Sequence, residues 1–385
     1  MEMKEDVVII GAGNVVIIGA GIAGLATALA LKRVGIRALV LEKSPELRTT
    51  GGGITLFTNA WLALDALGVS NKLNSFYAPY KGGFVTDVRT GRVQAVSYTR
   101  ADGTKSGPRT LHRRDLLEAL AEELPTGTIR FSIKISNPVE TCMIDGSPIA
   151  ILYLDDGTII SAKVLIGCDG VHSMIARWLG LGNPINSGRW AARGLAIYPQ
   201  DDELTTGDPK LIQKNVLESS IDIPEVFLDV VRQSDMSNVT WAPLLFRVPW
   251  NLIFGKLSNG NITIAGDAMH PMTPDLGQGG CSALEDAVVL ARHIGNSFHE
   301  HQDIIPAEVS KAIELYVKER RWHSVALITG SYLSGWVQHT RSGWFTKFFR
   351  EKIFYKFLYG RVAELVRYDC GKLPCIPSPM DGKVD

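Results

Sequence analysis

The chain has 385 residues, which is enough for one large domain or two modest domains with a buried core. Lysine plus arginine and aspartate plus glutamate each number 40, so no net charge draws the molecule towards nucleic acid or an anionic membrane, and we expect a small-molecule or protein partner. The five cysteines, an odd number without CxxC spacing, argue against a disulfide framework and a structural zinc site, so no metal is expected.

The heptapeptide VVIIGAG occurs twice near the start, at residues 7–13 and 15–21. Only the second copy is followed by a third glycine, Gly24, and by a helical pattern. The first copy has Val16 at the corresponding position and continues into another strand-like run. We therefore predict that the second copy is the first strand of the main sheet. The first copy should be an appendage, either frayed or lying along a sheet edge.

The second copy opens a strand, turn, helix and strand whose glycines have the G-x-G-x-x-G spacing. Gly19 allows a tight turn, Gly21 lets a pyrophosphate approach the backbone, and Gly24 lets helix and strand pack closely. Glu42 ends the second strand, where a carboxylate can accept hydrogen bonds from a ribose diol. This context predicts a dinucleotide site, and a purely structural tight turn is the alternative.

Further elements follow from apolar periodicity, turn residues and caps. They are a helix over 57–69, a hairpin over 83–98, a helix over 112–124, a strand over 128–135, and a hairpin at 156–157 that precedes a buried strand ending at Cys168.

The sequence from about 181 to 255 changes in texture, with strand-like runs at 191–199, 239–248 and 250–256. We expect this region and 76–104 to form a second, largely antiparallel substrate domain inserted into the first. The first domain is then discontinuous and takes residues 1–75, 105–180 and 256–325, and a C-terminal helical region takes 326–385.

A second glycine-rich loop lies within residues 261–295, between a short apolar strand and an amphipathic helix. Ser282 and Glu285 have the spacing of a capping box, which predicts that the helix starts there. Asp267 ends the strand and is a candidate acceptor for a ligand hydroxyl, or else a turn aspartate bonded to its own backbone. The loop contains Gly277, Gly279 and Gly280. Without side chains, these residues leave main-chain N–H groups free to face a flat or anionic group. Two such segments suit a flavin dinucleotide better than a nicotinamide alone.

Three segments appear in a fixed order: GAGIAG with Glu42, CDGVHS at 168–173, and GDAMHPMTPDLGQGG at 266–280. In these the chain resembles the FAD-dependent aromatic hydroxylases of the para-hydroxybenzoate hydroxylase-like class. It is most similar to the plant monooxygenases that look like salicylate hydroxylase and zeaxanthin epoxidase. The resemblance implies an α/β fold, with an FAD-binding Rossmann-type domain, an inserted, mostly antiparallel substrate domain and a helical C-terminus.

The resemblance also implies which residues hold the cofactor. The ADP half of FAD would be held by Gly19, Gly21, Gly24 and Glu42. Arg113 would also contact FAD. Arg114 is a near-equal candidate for this contact, and the structural alternative is that Arg113 is a solvated helix charge. Contacts associated with both FAD and NAD(P)H would come from Asp169 and Gly170. The ribityl or ribose hydroxyls would bind Asp267, and the isoalloxazine ring would be lined by Pro274, Gly277, Gly279 and Gly280.

The chemistry implied is reduction of FAD by NAD(P)H, capture of O2 as a flavin hydroperoxide, and insertion of one oxygen atom into a small aromatic or unsaturated substrate. No catalytic side chain is assigned. His270 is a candidate general base, but its place in a tight loop favours a structural role. The alternative functions are a flavin-binding but poorly active or uncoupled variant, and a flavin reductase or dehydrogenase.

The chain departs from this family between 191–199 and 208–213, where only QDDELTTG intervenes and relatives carry additional strands. A thinner substrate domain would open the flavin to water and favour peroxide release. The aromatic and basic stretch at 342–368 suggests either a membrane-surface contact or, preferentially, packing against the protein.

The sequence contains no run of about eighteen apolar residues, the length needed to span a bilayer. Acidic residues at positions 2, 5 and 6 precede the first apolar run, unlike a signal peptide. These features favour the cytoplasm, or a plastid if a precursor segment is missing.

Overall fold

The computed structural model describes residues 9–10, 15–48, 52–86, 93–97, 107–136, 139–144, 147–196, 210, 213–214, 217–218, 225–339 and 364–375. Its strands are β1 (Ile9–Ile10), β2 (Val15–Ile18), β3 (Ala38–Leu41), β4 (Gly53–Leu56), β5 (Gly82–Thr86), β6 (Val93–Ser97), β7 (Arg109–His112), β8 (Ile129–Arg130), β9 (Glu140–Ile144), β10 (Ser147–Tyr153), β11 (Ile159–Ala162), β12 (Val164–Gly167), β13 (Ile185–Ala196), β14 (Ser234–Phe246), β15 (Ser258–Asn259) and β16 (Ile262–Ile264). Its α-helices are α1 (Ile22–Arg33), α2 (Thr58–Leu67), α3 (Ser70–Asn74), α4 (Arg113–Ala121), α5 (Met174–Trp178), α6 (Glu225–Arg232), α7 (Pro249–Phe254), α8 (Gly279–His301) and α9 (Pro306–His339).

The main sheet has the strand order β15-β16-β12-β2-β3-β8, and all of its pairs are parallel except β15 with β16. β2 lies near the middle of this sheet, and all four of its residues are fully or almost fully buried. A run of β-branched residues suits such a strand, because both faces of a parallel sheet are covered. The second copy of the heptapeptide is therefore the first strand of the main sheet, as predicted.

The first copy of the heptapeptide contributes a short strand to a different sheet. Ile9 and Ile10 form β1, which pairs in parallel with Ile159 and Ile160 of β11. β1 is the outer strand of a sheet with the order β1-β11-β10-β9. The prediction that the first copy lies along an edge is confirmed for these two residues.

Helix α1 connects β2 to β3 and is buried along most of its length, from Ala23 to Leu31. It packs against β3 on one side and α8 on another, which explains why almost no polar face remains. Leu25, Leu29 and Leu31 are fully buried, and truncating any one to alanine would cost about 2–5 kcal/mol of folding free energy. The first turn of α1 is thus held rigidly against the end of β2.

The inserted strands form separate antiparallel pairs: β5 with β6 and β13 with β14. This confirms the predicted hairpin over 83–98, although the turn at 90–91 lies outside the described residues. The stretch QDDELTTG at 200–207, where we expect the chain to be shorter than its relatives, also lies outside them.

One predicted strand is wrong, and another is shorter than predicted. Residues 250–256 form most of helix α7 instead, with Pro249 in its first turn and Arg321 Nη1 donating to carbonyl oxygens at its C-terminal end. A short apolar run does not distinguish a strand from a buried helix, and here the proline and the distant arginine decide. The predicted strand over 128–135 is reduced to β8, because Ser132 has φ of +59°, which ends the extended conformation.

The long helices α8 and α9 pack against each other and form the helical end of the chain's fold. Residues 364–375 return to them, where Tyr368 Oη donates to Glu319 Oε1 at 2.7 Å. Most of the aromatic and basic stretch, up to residue 363, lies outside the described residues. None of the helices that the structure describes is long and apolar enough to cross a bilayer.

Candidate functional site

The turn between β2 and α1 has one open position and two closed ones. Gly19 has φ of +101°, and a Cβ there would lie 2.5 Å from the Cys168 carbonyl oxygen. A Cβ on Gly24 would overlap the carbonyl oxygen of Gly19. Gly21, in contrast, has nothing within 4 Å of the place where its Cβ would stand. Gly19 and Gly24 are therefore closely packed as the spacing predicts, and the backbone can be approached at Gly21.

Helix α1 begins at this open position, with Gly21 as its N-cap. No side chain caps the helix, and its first turn contains no acidic residue. Unsatisfied N–H groups and the positive end of the helix dipole therefore face the open side of the turn. This arrangement can bind an anionic group such as a pyrophosphate.

Glu42 closes the far side of the same turn, with only 5 % of its surface exposed. Its Oε2 accepts from the backbone N–H of Ala20 at 2.7 Å, and its Oε1 accepts from that of Ser44 at 2.9 Å. Burial acts to raise the pKa of Glu42, but these backbone hydrogen bonds outweigh it and hold the pKa below its ordinary value. The carboxylate is therefore ionised at neutral pH, and each oxygen retains a lone pair for a ligand hydroxyl.

The segment after β12 lies directly against the turn, since β12 is the neighbour of β2 in the main sheet. A Cβ on Gly19 would come within 3.3 Å of the Asp169 Cα. Asp169 Oδ2 accepts from the backbone N–H of Met174 at 2.7 Å, while its Oδ1 is buried without a protein partner. Burial raises the pKa of Asp169 above its ordinary value. Gly170 has φ of +79° and open space around it. A buried, unpartnered oxygen beside an open backbone is suited to a ligand donor.

The second glycine-rich loop is brought to the same place, because a Cβ on Gly266 would lie 2.6 Å from the Cβ of Ala23 in α1. Asp267 is exposed beside it, and its Oδ1 would be 3.9 Å from a Cβ on Gly279. Gly280 packs against Ile54, where a Cβ would come within 2.6 Å of Cδ1. Two segments almost 250 residues apart thus meet at one edge of the main sheet.

Pro274 and Gly277 form the middle of this loop. Pro274 opens a 3-10 turn over Pro274–Leu276 and is exposed. Gly277 follows the turn with φ of +64°, which a residue with a side chain rarely adopts. The chain then enters α8 at Gly279, whose first turn contains no acidic residue. This is a second helix N-terminus directed at the site.

The predicted capping box at Ser282 and Glu285 is wrong, because α8 begins three residues earlier, at Gly279. Ser282 Oγ accepts instead from Arg320 Nη2 at 2.8 Å and lies 3.3 Å from His270 Nε2. Glu285 Oε2 pairs with Arg320 at 2.6 Å. The two side chains belong to a buried polar network rather than to a cap.

That network supports the loop from beneath. Asp286 Oδ2 accepts from the Gly266 N–H at 2.8 Å and lies 2.6 Å from His270 Nε2, while its Oδ1 accepts from Arg320 Nε at 2.7 Å. Burial acts to raise the pKa of Asp286, but the charges of His270 and Arg320 and its hydrogen bonds lower it to about 2. His270 is fully buried in this network, which agrees with the structural role preferred over a general base.

Arg113 and Arg114 separate clearly at the start of α4. Arg113 Nη1 donates to the Arg48 carbonyl oxygen at 2.5 Å and its backbone N–H to that of Gly52 at 3.4 Å. Arg114 is exposed and pairs with Glu118 at 2.7 Å along the helix. Arg113 therefore ties α4 to the segment before β4, whereas Arg114 is a solvated helix charge.

Sequence patterns missed Arg247, which follows β14 and is almost fully buried. It donates to the carbonyl oxygens of Ala268 at 3.1 Å and Met269 at 3.0 Å, and to that of Gly182. Burial lowers the pKa of Arg247 to about 10. It ties the inserted strands to the glycine-rich loop. An arginine at the end of an apolar strand was the available signal, since buried charges need several partners.

These residues fit FAD. The open backbone at Gly21, the unpartnered oxygen of Asp169 and two helix N-termini match a pyrophosphate and a flat ring with carbonyl oxygens. Within the part of the chain that the structure describes, no group of histidine, cysteine, aspartate or glutamate side chains could hold a metal ion.

Comparisons with known proteins agree with this geometry. Residues 6–212 and 250–329 match the family described as FAD binding domain. Monooxygenase 2 from Arabidopsis thaliana is 34 % identical over 417 residues, covering 96 % of this chain and all of that protein. The alignment is longer than the 385 residues of the chain, so at least 32 of its positions have no counterpart here.

Two solved structures share the fold. The Klebsiella pneumoniae protein HpxO, in complex with FAD and uric acid, has a TM-score of 0.74 and 22 % identity over 93 % of this chain and 97 % of its own. A salicylate hydroxylase in a substrate complex has a TM-score of 0.63 and 18 % identity over 94 % of this chain and 99 % of its own.

Proposed function

The chain belongs to the FAD-binding monooxygenase family, and from that membership we propose that it oxidises NAD(P)H and inserts one oxygen atom from O2 into a small aromatic or unsaturated substrate. Bound FAD would supply the redox chemistry, carrying electrons from the nicotinamide to O2. The chain's own residues would bind and orient the cofactor and keep water from the ring.

One observation carries the proposal: two segments remote in sequence converge on the open turn at Gly21. Gly266 packs on α1 at Ala23, and the Asp169 backbone packs on Gly19. A mononucleotide needs only the first turn and its helix. A second helix N-terminus and a second glycine-rich loop favour a longer ligand, with the flavin ring at the far end.

We propose the following roles for the site residues. The pyrophosphate would lie at Gly21 and the N-terminus of α1, and a ribose would bind Glu42. Further polar contacts to the cofactor would come from Arg113, Asp169, Gly170 and Asp267. The isoalloxazine ring would be lined by Pro274, Gly277, Gly279 and Gly280.

We also propose the domain division given by the sequence. The FAD-binding domain would take 1–75, 105–180 and 256–325, the substrate domain 76–104 and 181–255, and the helical region 326–385. The separate pairing of β5 with β6 and of β13 with β14 supports an inserted antiparallel unit.

A second candidate function is an uncoupled flavoprotein that passes electrons from NAD(P)H to O2 and releases hydrogen peroxide. The described strands of the substrate domain form two-stranded sheets, and the alignment with Monooxygenase 2 contains positions that this chain lacks. A thinner cover over the ring would admit water, which competes with oxygen transfer.

Purified protein tests both candidates. We expect a yellow protein that contains about one FAD per chain and oxidises NADH or NADPH in air. A panel of electron-rich aromatics and polyenes, beginning with urate and salicylate, would then be added, and peroxide, product and NAD(P)H measured together. Hydroxylated product equal to the NAD(P)H consumed supports the monooxygenase and contradicts the uncoupled protein. An amount of peroxide equal to the NAD(P)H consumed, with every substrate, would support the uncoupled protein and contradict the monooxygenase. Substrate oxidation that continues without O2 would contradict both and indicate a dehydrogenase.

A further inference from the structure

One ion pair joins the inserted strands to the glycine-rich loop. Arg189, in β13, donates through Nη1 to Asp275 Oδ1 at 2.7 Å and through Nη2 to Asp275 Oδ2 at 2.6 Å. The two residues are 86 positions apart, so the contact exists only in the folded chain. Such a parallel two-bond pair fixes orientation as well as distance.

The pair is enclosed rather than exposed at the surface. The side chains of Arg189 and Asp275 are 21 % and 6 % exposed, respectively. Helix α9 closes over them at Gly335, where a Cβ would lie 2.5 Å from Asp275 Oδ2 and 2.6 Å from Arg189 Nη1. Three segments therefore meet at this pair, and Gly335 is the position at which α9 can approach it.

Asp275 occupies the 3-10 turn immediately before Gly277 and the N-terminus of α8. Fixing this carboxylate therefore fixes the start of the backbone that would line the flavin ring. The charge matters as well as the geometry. The carboxylate charge of Asp275 would oppose negative charge on a nearby reduced ring, and the positive charge of Arg189 offsets that effect.

We propose that Arg189 is a positioning residue for the flavin, which holds the loop in place through Asp275 while neutralising its charge. This inference rests on the proposed FAD site and deepens it. It assigns a role to the inserted strands that is independent of the substrate: β13 sets the position and the electrostatics of the loop. Helix α9 maintains the pair by excluding a side chain at position 335.

The test is the reduction potential of bound FAD, measured by a dye-linked spectroscopic titration at pH 8. Two-electron reduction increases the negative charge on the ring, so a nearby carboxylate lowers the potential and a nearby cation raises it. Arg189→Gln removes the cation that pairs with Asp275 and should lower the potential. Asp275→Asn leaves Arg189 unpaired and should raise it. The double variant, which has neither charge, should return the potential towards that of the wild type.

Three further variants separate charge from packing. Arg189→Lys keeps the charge but loses the two-bond geometry. Its reduction potential should therefore lie closer to that of the wild type than to that of Arg189→Gln, while it releases more peroxide per NAD(P)H than the wild type. Gly335→Ala alters no charge and should raise the peroxide ratio with little shift in potential. Arg232→Gln removes an exposed arginine that also pairs with carboxylates, at 2.6 and 2.7 Å, and should leave the potential unchanged.

Opposite shifts in the two single variants, with recovery in the double variant, support the proposal. Shifts of the same sign, or none, would overturn it and leave the pair as ordinary packing, while the proposed function stands. If the wild-type protein binds no FAD, both the function and this role are wrong.

Discussion

Gly21→Ala should separate ligand binding from folding more cleanly than any other substitution in the site. Gly21 has φ of −79° and ψ of −173°, which alanine adopts readily, and no atom lies within 4 Å of its Cβ position. The methyl group would instead occupy the space through which we expect the pyrophosphate to approach. The substitution should leave the stability of the folded protein nearly unchanged and weaken FAD binding.

The two effects can be estimated separately. Replacing glycine at a compatible position stabilises a protein by about 0.4–1 kcal/mol, and a poorer N-cap costs a similar amount, so the net change in stability is close to zero. Forcing a methyl group into a close contact costs about 1–3 kcal/mol. FAD affinity should therefore fall by about 5- to 150-fold.

The assay is a titration of apoprotein with FAD, followed by flavin fluorescence, beside thermal unfolding of the apoprotein. ADP should lose affinity by the same factor as FAD, because the two ligands share the pyrophosphate. Gly24→Ala is the matched control: its Cβ overlaps the Gly19 carbonyl oxygen, so it should destabilise the apoprotein itself.

Two results would refute this reasoning. Unchanged FAD affinity in Gly21→Ala would mean that the pyrophosphate does not pass this turn. A marked loss of apoprotein stability would mean that the space beside Gly21 is not open.

Three other predictions concern the scaffold. Deleting residues 1–12 should leave the FAD content unchanged, because the part of this segment that the structure describes is a two-residue edge strand. Flavin absorbance at equal protein concentration tests this, and loss of FAD would contradict it. Asp286→Asn leaves Arg320 short of a buried partner and should cost about 3–5 kcal/mol in urea unfolding, and a loss below about 1 kcal/mol would be inconsistent with the network. Burial opposes ionisation of Glu319, but hydrogen bonds from His293 and Tyr368 and the neighbouring Arg292 lower its pKa from 4.5 to about 2. The stabilisation from ionised Glu319 is therefore complete above about pH 4.5 and lost as the pH falls towards 2. Glu319→Gln should be less stable than the wild type at neutral pH, and its unfolding free energy should depend less on pH across that window. Parallel pH curves for the two proteins would argue against this.

The first βαβ unit could be predicted from the sequence because its determinants are local. The buried strand, the three glycines and the apolar helix lie within about twenty consecutive residues, and each has a distinct steric role. That the first heptapeptide is not the first strand of the main sheet followed from what it lacks, a third glycine and a helix. Local rules are reliable where neighbouring residues determine the backbone.

Prediction failed where a distant residue decides the local structure. Ser282 and Glu285 have the spacing of a cap, but Arg320 binds both from another helix. Residues 250–256 look strand-like, but Pro249 and Arg321 stabilise a helix. In each case a buried or half-buried arginine that is distant in the sequence supplies hydrogen-bond donors. A local window of the sequence does not contain that arginine.

The nucleotide half and the substrate half of this fold differ in how completely they are enclosed. The turn at Gly21 is backed by the buried strand β2, and the second glycine-rich loop rests on the buried Asp286 network. The inserted strands instead leave Phe84 78 % exposed and Trp190 52 % exposed. Apolar side chains on a complete sheet would be covered, so a two-stranded sheet gives less protection against water. We therefore expect FAD binding and coupled oxygen transfer to be separable in this chain. The turn at Gly21 and the Asp286 network lie outside the inserted strands, so flavin binding should survive even where hydroxylation is lost to peroxide.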